Sequence, residues 1–141
     1  MQDRSGTILV SGGAGYIGSH TCVELVKRGY RPVIVDDFSN SCAAAIDRIC
    51  QITGVNDLPV IEADIRDTAR MEAIMREQEC AAVIHFAGLK AVGESTQKPL
   101  DYYSVNVQGS LSLLTAMQAA GVKHIVFSSS ATVYGTPVSL P

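Results

Sequence analysis

A glycine cluster near the start of the chain has the composition and setting of a phosphate-binding loop. An apolar run, residues 8–10, ends in the cluster, and a helix-like pattern follows it at once. Glycine permits positive φ in a tight turn, and without a Cβ it lets phosphates approach the backbone. Free amides at a helix start, together with the helix dipole, favour an anion. The candidate residues of this loop are Gly12, Gly13, Gly15, Tyr16, Ile17 and Gly18.

The glycine spacing narrows the kind of phosphate ligand. Gly13, Gly15 and Gly18 match the common dinucleotide-binding pattern, whereas Gly12, Gly15 and Gly18 match a related variant. We expect Gly18 to let the helix pack close to the sheet. The Walker spacing is absent, because no Gly-Lys-Ser or Gly-Lys-Thr follows the cluster. Ordinary turn glycines are the alternative interpretation.

Two acidic residues end the second predicted strand. Asp36 lies about twenty residues beyond the glycine loop, where a carboxylate receives the ribose hydroxyls of an adenine dinucleotide. A carboxylate there would repel a 2′-phosphate, and the residues that follow, which include Asn40 and Ser41, bring no lysine or arginine. The sequence therefore predicts NAD rather than NADP as the cofactor. The alternative is a pair of solvated loop acids, a description that fits Asp37 better than Asp36.

Residues after the third and fourth predicted strands would line the same crevice. Asp64 could accept a hydrogen bond from an adenine amino group while Ile65 packs on the ring, although an aspartate there is equally a cap or turn residue. Phe86 and Ala87 begin a stretch of small and apolar residues that would let a cofactor lie against the backbone. Lys90 could reach a phosphate or a substrate hydroxyl, or remain a solvated surface cation.

A histidine and a hydroxyl cluster complete the candidates. His85 lies inside an apolar run, which favours a hydrogen-bonded core histidine over a catalytic one. Ser128, Ser129, Ser130 and Thr132 end the fifth predicted strand and would point hydroxyls into the crevice, or else bond to local backbone. No Gly-x-Ser-x-Gly is present. Hydrogen bonding to a substrate or a catalytic group is therefore the preferred interpretation.

Composition limits the class of protein. The 141 residues are enough for one domain, with 47% hydrophobic and 18% charged residues and a net charge of −3. No basic run points to nucleic acid. The longest apolar stretch, residues 81–89, is too short for a membrane span, and the polar N-terminus lacks a signal-peptide core. Four cysteines show no metal-ligand spacing, and we expect three buried free thiols in a reducing cytoplasm.

Strand-like and helix-like segments alternate along the chain. This rhythm predicts an α/β fold with a doubly wound parallel sheet of the Rossmann type, strand order 3-2-1-4-5, in one domain covering residues 1–141. A flavodoxin-like fold shares the rhythm, but its phosphate loop is usually rich in Ser and Thr. We expect Asp67 or Thr68 to cap the third helix. The predicted strands are 7–11, 32–35, 59–62, 82–86 and 124–128, and the predicted helices are 15–28, 42–53, 68–79 and 99–120.

These motifs together resemble the extended short-chain dehydrogenase/reductase family. The resemblance covers essentially the whole chain, and its most specific part is residues 85–95 (HFAGLKAVGES), supported by residues 12–20, 102–106 and 127–135. Within the family, it points to members that interconvert UDP-glucose and UDP-galactose at the sugar C4 in galactose metabolism. It also points to a homodimer formed through helices of this half, with the long predicted helix as a candidate.

The resemblance assigns roles to residues of this chain. It implies a tightly bound NAD, which takes up a hydride from the sugar and returns it while a tyrosine exchanges the proton. The UDP-hexose and the proton-transfer hydrogen bond would be placed on Ser130 and Thr132, with Lys90 also available, and Asn106 would organise the site. The implied NAD contacts are Tyr16, Ile17, Asp36, Asp37, Asn40, Ser41, Asp64, Ile65, Phe86, Ala87 and Lys90.

One departure from the family pattern bears on activity. The family's catalytic pair is Tyr-x-x-x-Lys, in which the lysine lowers the tyrosine pKa, and none of the five tyrosines here is followed by a lysine four residues later. We expect the pair, the remaining strands and a sugar-nucleotide domain to lie beyond these residues, so that the 141 residues alone are inactive. A related sugar-nucleotide dehydratase or reductase, and a non-catalytic dinucleotide sensor, are the alternative functions.

Overall fold

Five short apolar runs form one parallel sheet in the computed structural model, which describes residues 6–135 and residue 139. The order β3-β2-β1-β4-β5 is the predicted one, so the doubly wound Rossmann fold is confirmed. Every neighbouring pair is parallel. The strands are β1 (Thr7–Ser11), β2 (Arg31–Asp36), β3 (Val60–Glu62), β4 (Cys80–His85) and β5 (His124–Phe127).

Helices connect the strands and cover both faces of the sheet. Asp67 caps α3 by accepting a hydrogen bond from the Arg70 amide, which confirms one of the two predicted caps. Gly121 ends the last helix in the left-handed conformation. The helices are α1 (Tyr16–Lys27), α2 (Ala44–Thr53), α3 (Thr68–Glu77), α4 (Val92–Gln97), α5 (Pro99–Tyr102) and α6 (Gly109–Ala120).

Two buried clusters hold these layers together. Successive residues of a strand point to opposite faces, so Leu9 packs with α3 and α6 while Val10 packs with α1 and α2. The helix α3 contributes Met71, Ile74 and Met75, which are almost fully buried. Each such side chain contributes about 1.5–3 kcal/mol through burial. The sheet is therefore a fixed platform for the residues at its edge.

The register brings the candidate residues to one edge of the sheet. Ser11 pairs with Val35 on one side and with His85 on the other, and His85 pairs with Phe127. These residues lie at or next to the carboxyl ends of four parallel strands. The loops that follow them therefore meet, as they do in open α/β sheets that bind ligands at a switch point.

The predicted single helix over residues 99–120 is wrong in detail. The stretch begins as α5, widens into a π-helical turn over Tyr103–Gln108 and continues as α6. The separate helix α4 was not predicted, because residues 92–97 bury no apolar face that a periodicity could reveal. The π-helical turn has a local function, since it directs Asn106 toward residue 89.

The cysteine prediction is also corrected. All four cysteines are free, but only Cys22 and Cys80 are buried, whereas Cys50 is partly buried and Cys42 is exposed. Burial raises the pKa of Cys22 to about 12 and that of Cys80 to about 11. These two thiols are therefore packing residues rather than nucleophiles.

Candidate functional site

The glycine loop joins β1 to α1, and neither Gly12 nor Gly18 has room for a side chain. Gly12 has φ +70°, and a Cβ there would lie 2.7 Å from the Ala87 nitrogen. A Cβ on Gly18 would collide with the carbonyl oxygen of Gly12. These contacts explain why glycine is needed for the turn and for the close helix packing. Gly15 differs, because it has an ordinary extended backbone (φ −72°, ψ 174°).

The N-terminus of α1 has the geometry of an anion site. Gly15 is its N-cap and supplies no side-chain oxygen to the first turn. The amides of Tyr16, Ile17 and Gly18 belong to that turn, where helix geometry offers no acceptor within the helix. The positive end of the helix dipole adds to their attraction for a phosphate. Tyr16 is 83% exposed, its ring lies tilted against that of His20 with the ring centroids 4.8 Å apart, and the residue lines neither cleft of the site described below.

Asp36 is a buried carboxylate held in place by three donors. The Ala14 amide donates to Oδ2 at 2.9 Å, and the Phe38 amide and the Ser41 hydroxyl donate to Oδ1 at 3.0 and 2.8 Å. The glycine loop and the acid therefore form one unit. Asp37 is exposed and accepts hydrogen bonds from the backbone and hydroxyl of Ser39, which makes it a turn residue. Ser41 acts on Asp36 rather than lining the crevice.

Asp64 forms a turn and an ion pair after β3. Its Oδ1 accepts from the Arg66 amide at 2.8 Å, and its carboxylate pairs with the Arg66 guanidinium, whose Nε lies 3.0 Å from Oδ1. The hydrogen bond from Arg66 lowers the pKa of Asp64. Arg66 also donates to Ser104 in the π-helical turn. Ile65 is buried beside them.

The segment after β4 forms a wall that we call the cleft loop, residues 87–91. The Lys90 ammonium donates to the Phe86 carbonyl at 2.8 Å and lies 3.5 Å from the Gly88 carbonyl. Partial burial lowers the pKa of Lys90. An ammonium has three donors, so this arrangement leaves one for a ligand phosphate or hydroxyl. The Asn106 side chain binds the backbone of Leu89 at both groups: its Oδ1 accepts from the Leu89 amide at 2.8 Å, and its Nδ2 donates to the Leu89 carbonyl at 2.9 Å.

His85 is a satisfied core histidine, as its apolar setting predicted. It is 2% exposed; its Nδ1 lies 2.6 Å from the Ser11 hydroxyl, and its Nε2 lies 3.1 Å from the Ser110 hydroxyl. Ser110 donates its own proton to the Asn106 carbonyl, so it must accept from His85. Neutral His85 therefore carries its proton on Nε2, and Ser11 donates to Nδ1.

We expect His85 to make stability depend on pH. Burial, with a smaller contribution from Lys90, lowers the pKa of His85 to about 4, below the unfolded value near 6.5. Between these two pKa values, His85 is protonated in the unfolded state and neutral in the folded state. Stability from this group is therefore complete above pH 6.5 and declines as the pH falls toward 4, by at most about 1.4 kcal/mol per pH unit. Urea unfolding from pH 7 to 4.5 should give a steeper decline for the unmodified protein than for His85→Asn. Equal slopes would contradict this assignment.

The hydroxyl cluster after β5 faces the other side of the cleft loop. The Ser128 amide donates to the His85 carbonyl at 3.1 Å, which continues the parallel ladder beyond the strand. Ser129 and Ser130 follow on the exposed surface, and the Ser130 carbonyl accepts from the Val133 amide in the 3₁₀ turn of residues 131–134. The side chain of Thr132 lies outside the part of the chain that the structure describes.

Two adjoining clefts result, and residues 87–91 line both. The first, of about 290 Å³, contains ten of the predicted residues: Gly12, Gly15, Asp36, Asp37, Asn40, Asp64, Ile65, Phe86, Ala87 and Lys90. The second, of about 740 Å³, contains Ile17, Ala87, Lys90 and Ser130. Four predicted residues line neither cleft: Gly13, Tyr16 and Gly18, which act through the backbone or through packing, and Ser41, whose hydroxyl donates to Asp36. Lining residues not predicted as site residues include Ser39, Gly88, Leu89, Ala91, Ser95, Tyr102 and Ser110.

The described residues contain neither a metal-binding cluster nor a membrane-spanning helix. No group of three or more histidine, cysteine, aspartate or glutamate side chains there could hold a metal ion. No helix in that part of the chain has the length and hydropathy of a membrane span.

Three features define a Rossmann-type dinucleotide-binding domain: a glycine-lined helix start, a buried acid at the end of β2 and a crevice at the switch point. The model of a protein family described as GDP-mannose 4,6 dehydratase matches residues 9–141. The chain belongs to this extended short-chain dehydrogenase/reductase family.

Individual relatives give a narrower match. A Bacillus subtilis (strain 168) protein named UDP-glucose 4-epimerase is 58% identical over 134 residues, which cover 95% of this chain and 39% of the relative. A Klebsiella pneumoniae protein of the same name is 54% identical, with 95% and 96% covered. A crystal structure of UDP-glucose-4-epimerase from Stenotrophomonas maltophila, with bound NAD and formylated UDP-arabinopyranose, has 55% identity and a TM-score of 0.92, covering 96% of this chain and 40% of that one. The chain thus spans about two fifths of the length of most of these relatives.

Proposed function

We propose that this chain binds NAD in its two clefts and forms the cofactor-binding part of an enzyme that interconverts UDP-glucose and UDP-galactose. The observation that carries the proposal is the joint placement of the α1 N-terminus and the buried Asp36 carboxylate at one cleft. Relatives that are identical to this chain at more than half of the aligned positions are named UDP-glucose 4-epimerase, and the similar solved structure contains NAD.

The residues present fit a dinucleotide. The glycine loop supplies amides and no Cβ where phosphates would approach, and Asp36 supplies fixed acceptors suited to a ribose diol. Ile65 offers an apolar surface beside the Asp64 carboxylate for an adenine ring. The Lys90 ammonium, where the two clefts meet, has one N–H donor that is available to the ligand. When bound, NAD supplies a reversible hydride acceptor for oxidation and reduction of the sugar.

The second cleft suits the sugar nucleotide. It is the larger of the two and lies beside the hydroxyl cluster that includes Ser130. In the proposal, Ser130 and Thr132 donate or accept hydrogen bonds at the sugar hydroxyl that loses its proton, and Lys90 orients the ligand. The base that removes this proton is a tyrosine paired with a lysine, and the 141 residues contain no such pair. Ser130 is therefore a supporting residue.

A homodimer and a cytoplasmic location belong to the same proposal. Four large apolar side chains form an exposed stripe on the helical stretch: Tyr103 (67% exposed), Val107 (50%), Leu111 (60%) and Leu114 (46%). Their spacing of three or four residues places them on one face, which would suit a second copy of the chain. Four free cysteines fit a reducing compartment.

Incubation with UDP-galactose tests the proposed reaction. We expect the protein at its full natural length to form UDP-glucose, detected by proton NMR, without net release of NADH. Residues 1–141 alone should give no conversion. Formation of a dehydrated keto sugar would instead assign the dehydratase reaction of the same family. NAD binding without any conversion would favour a dinucleotide sensor.

A further inference from the structure

Three side chains, spaced four residues apart, form what we call the positioning row on the helical stretch that borders the second cleft. The row consists of Tyr102, Asn106 and Ser110. Its partners are, in the same order, Ala91 and Leu89 in the cleft loop and His85 at the end of β4. Hydrogen bonds thus connect one face of the helical stretch to the cleft loop and to the carboxyl end of β4.

The π-helical turn keeps the row straight. In a regular α-helix, residues four apart are rotated by about 40°, so the two ends of the row would diverge by about 80°. A π-helical turn contains more residues than an α-helical turn, which offsets this rotation. The turn spans Tyr103–Gln108, between the first and last members of the row. This gives a physical reason for an otherwise uncommon helix geometry.

The lower end of the row joins three strands. His85 receives a hydrogen bond from Ser11 at the end of β1 and donates to Ser110, while its carbonyl accepts from Ser128 after β5. The Ser11 carbonyl in turn accepts the amides of Phe86 and Ala87. A displacement of the helix relative to His85 would therefore shift both the end of β1, where the glycine loop begins, and the cleft loop.

The upper members hold the cleft loop at separate points. The Ala91 amide donates to the Tyr102 hydroxyl at 3.1 Å, and that hydroxyl lies 2.9 Å from the Ala91 carbonyl and 3.0 Å from Glu94. Asn106 holds Leu89 at 2.8 and 2.9 Å. The Ser110 hydroxyl lies one turn further along and donates to the Asn106 carbonyl at 2.6 Å. Ser110 therefore links the histidine to the residue that holds Leu89.

We propose that Ser110 and His85 are positioning residues, which set the cleft loop for ligand binding by fixing the register of the row through a hydrogen bond from His85 Nε2 to Ser110. Because the ligand in question is NAD, this inference rests on the proposed function. The substitution Ser110→Ala removes the hydroxyl with little change in volume and leaves the buried imidazole proton without its acceptor. Its effect should appear first at Leu89, because Asn106 follows directly in the chain of contacts.

Amide hydrogen exchange at single residues, followed by NMR in the protein at its full natural length, tests the row without any assay of activity. We expect Ser110→Ala to speed exchange of the Leu89 amide about tenfold and to leave the Ala91 amide, held by Tyr102, almost unchanged. Tyr102→Phe should do the reverse. The ¹⁵N signals of the unmodified His85 ring should show a bare Nδ1 and a protonated Nε2.

Matched variants separate positioning from general loss of stability. Thr115→Ala removes the same kind of hydroxyl-to-carbonyl bond from an exposed site on α6, and Ser110→Thr retains a hydroxyl. We expect Ser110→Ala to raise the NAD dissociation constant about tenfold relative to Thr115→Ala, and Ser110→Thr to restore most of it. Any of three results would overturn the inference. These are an unchanged exchange rate of the Leu89 amide in Ser110→Ala, a protonated Nδ1 of His85 in the unmodified protein, and equal NAD affinity in Ser110→Ala and Thr115→Ala. Failure of the unmodified protein to bind NAD would instead contradict the proposed function. The exchange rate of the Leu89 amide in Ser110→Ala would then show by itself whether Ser110 positions the cleft loop.

Discussion

Gly15→Val is expected to eliminate NAD binding while leaving the fold intact. Gly15 lines the first cleft and has backbone angles that any L-residue can adopt. Its added Cβ would meet only the Gly12 carbonyl, at 3.2 Å, which a shift of a few tenths of an ångström relieves. A valine side chain would, however, stand beside the free amides of the first turn of α1. Loss of two or three charge-assisted hydrogen bonds, at about 1.5–3 kcal/mol each, weakens binding by about a hundredfold or more.

Gly93→Ala is the matched control, because its Cβ has nothing within 4 Å and the residue lines neither cleft. Dinucleotide per protein molecule and the NAD dissociation constant should be measured for both variants, together with thermal unfolding. We expect near-normal unfolding in both and bound NAD only in Gly93→Ala. Stoichiometric NAD in purified Gly15→Val would place the phosphates elsewhere.

Local patterns predicted the parts of the fold that depend on short stretches of sequence. Apolar runs gave the five strands, and the glycine cluster with the acid at Asp36 indicated which strand ends would meet. The structural roles of Gly12 and Gly18 also follow from spacing alone, since a turn and a close helix contact both require the absence of Cβ. The strand order follows from these ends and from the handedness of the crossovers.

Contacts between distant residues were not accessible in the same way. The apolar run around His85 predicted a satisfied core histidine, but its partners are 74 and 25 residues away in sequence. The hydrogen bond from Arg66 to Ser104 likewise joins residues 38 positions apart. The π-helical turn was missed because no propensity marks it, although the spacing of Tyr102, Asn106 and Ser110 by four residues was a usable signal.

Selectivity for NAD over NADP is the second large effect that we expect. The Asp36 carboxylate cannot turn away from an incoming 2′-phosphate, because Ala14, Phe38 and Ser41 fix both of its oxygens. Among the described residues that line the first cleft, the sole cation is Lys90, which is bound to the Phe86 carbonyl in the cleft loop. Holding two anions together without a counter-ion costs several kcal/mol, equivalent to about a hundredfold or more in affinity.

Asp36→Ser should narrow this selectivity. The substitution removes the charge and keeps a short polar side chain for the donors of the loop. We expect NAD affinity to fall and the preference over NADP to shrink to within about tenfold. Asp57→Ser, which removes an exposed carboxylate outside both clefts, should leave the preference unchanged.

Titration calorimetry of the protein at its full natural length with NAD and with NADP is the most direct test of the central claim, that the first cleft is a dinucleotide site selected by Asp36. We expect one NAD per chain, bound about a hundredfold or more tightly than NADP, with the difference largely lost in Asp36→Ser and kept in Asp57→Ser. Equal affinities for the two nucleotides in the unmodified protein, or an unchanged preference in Asp36→Ser, would contradict it.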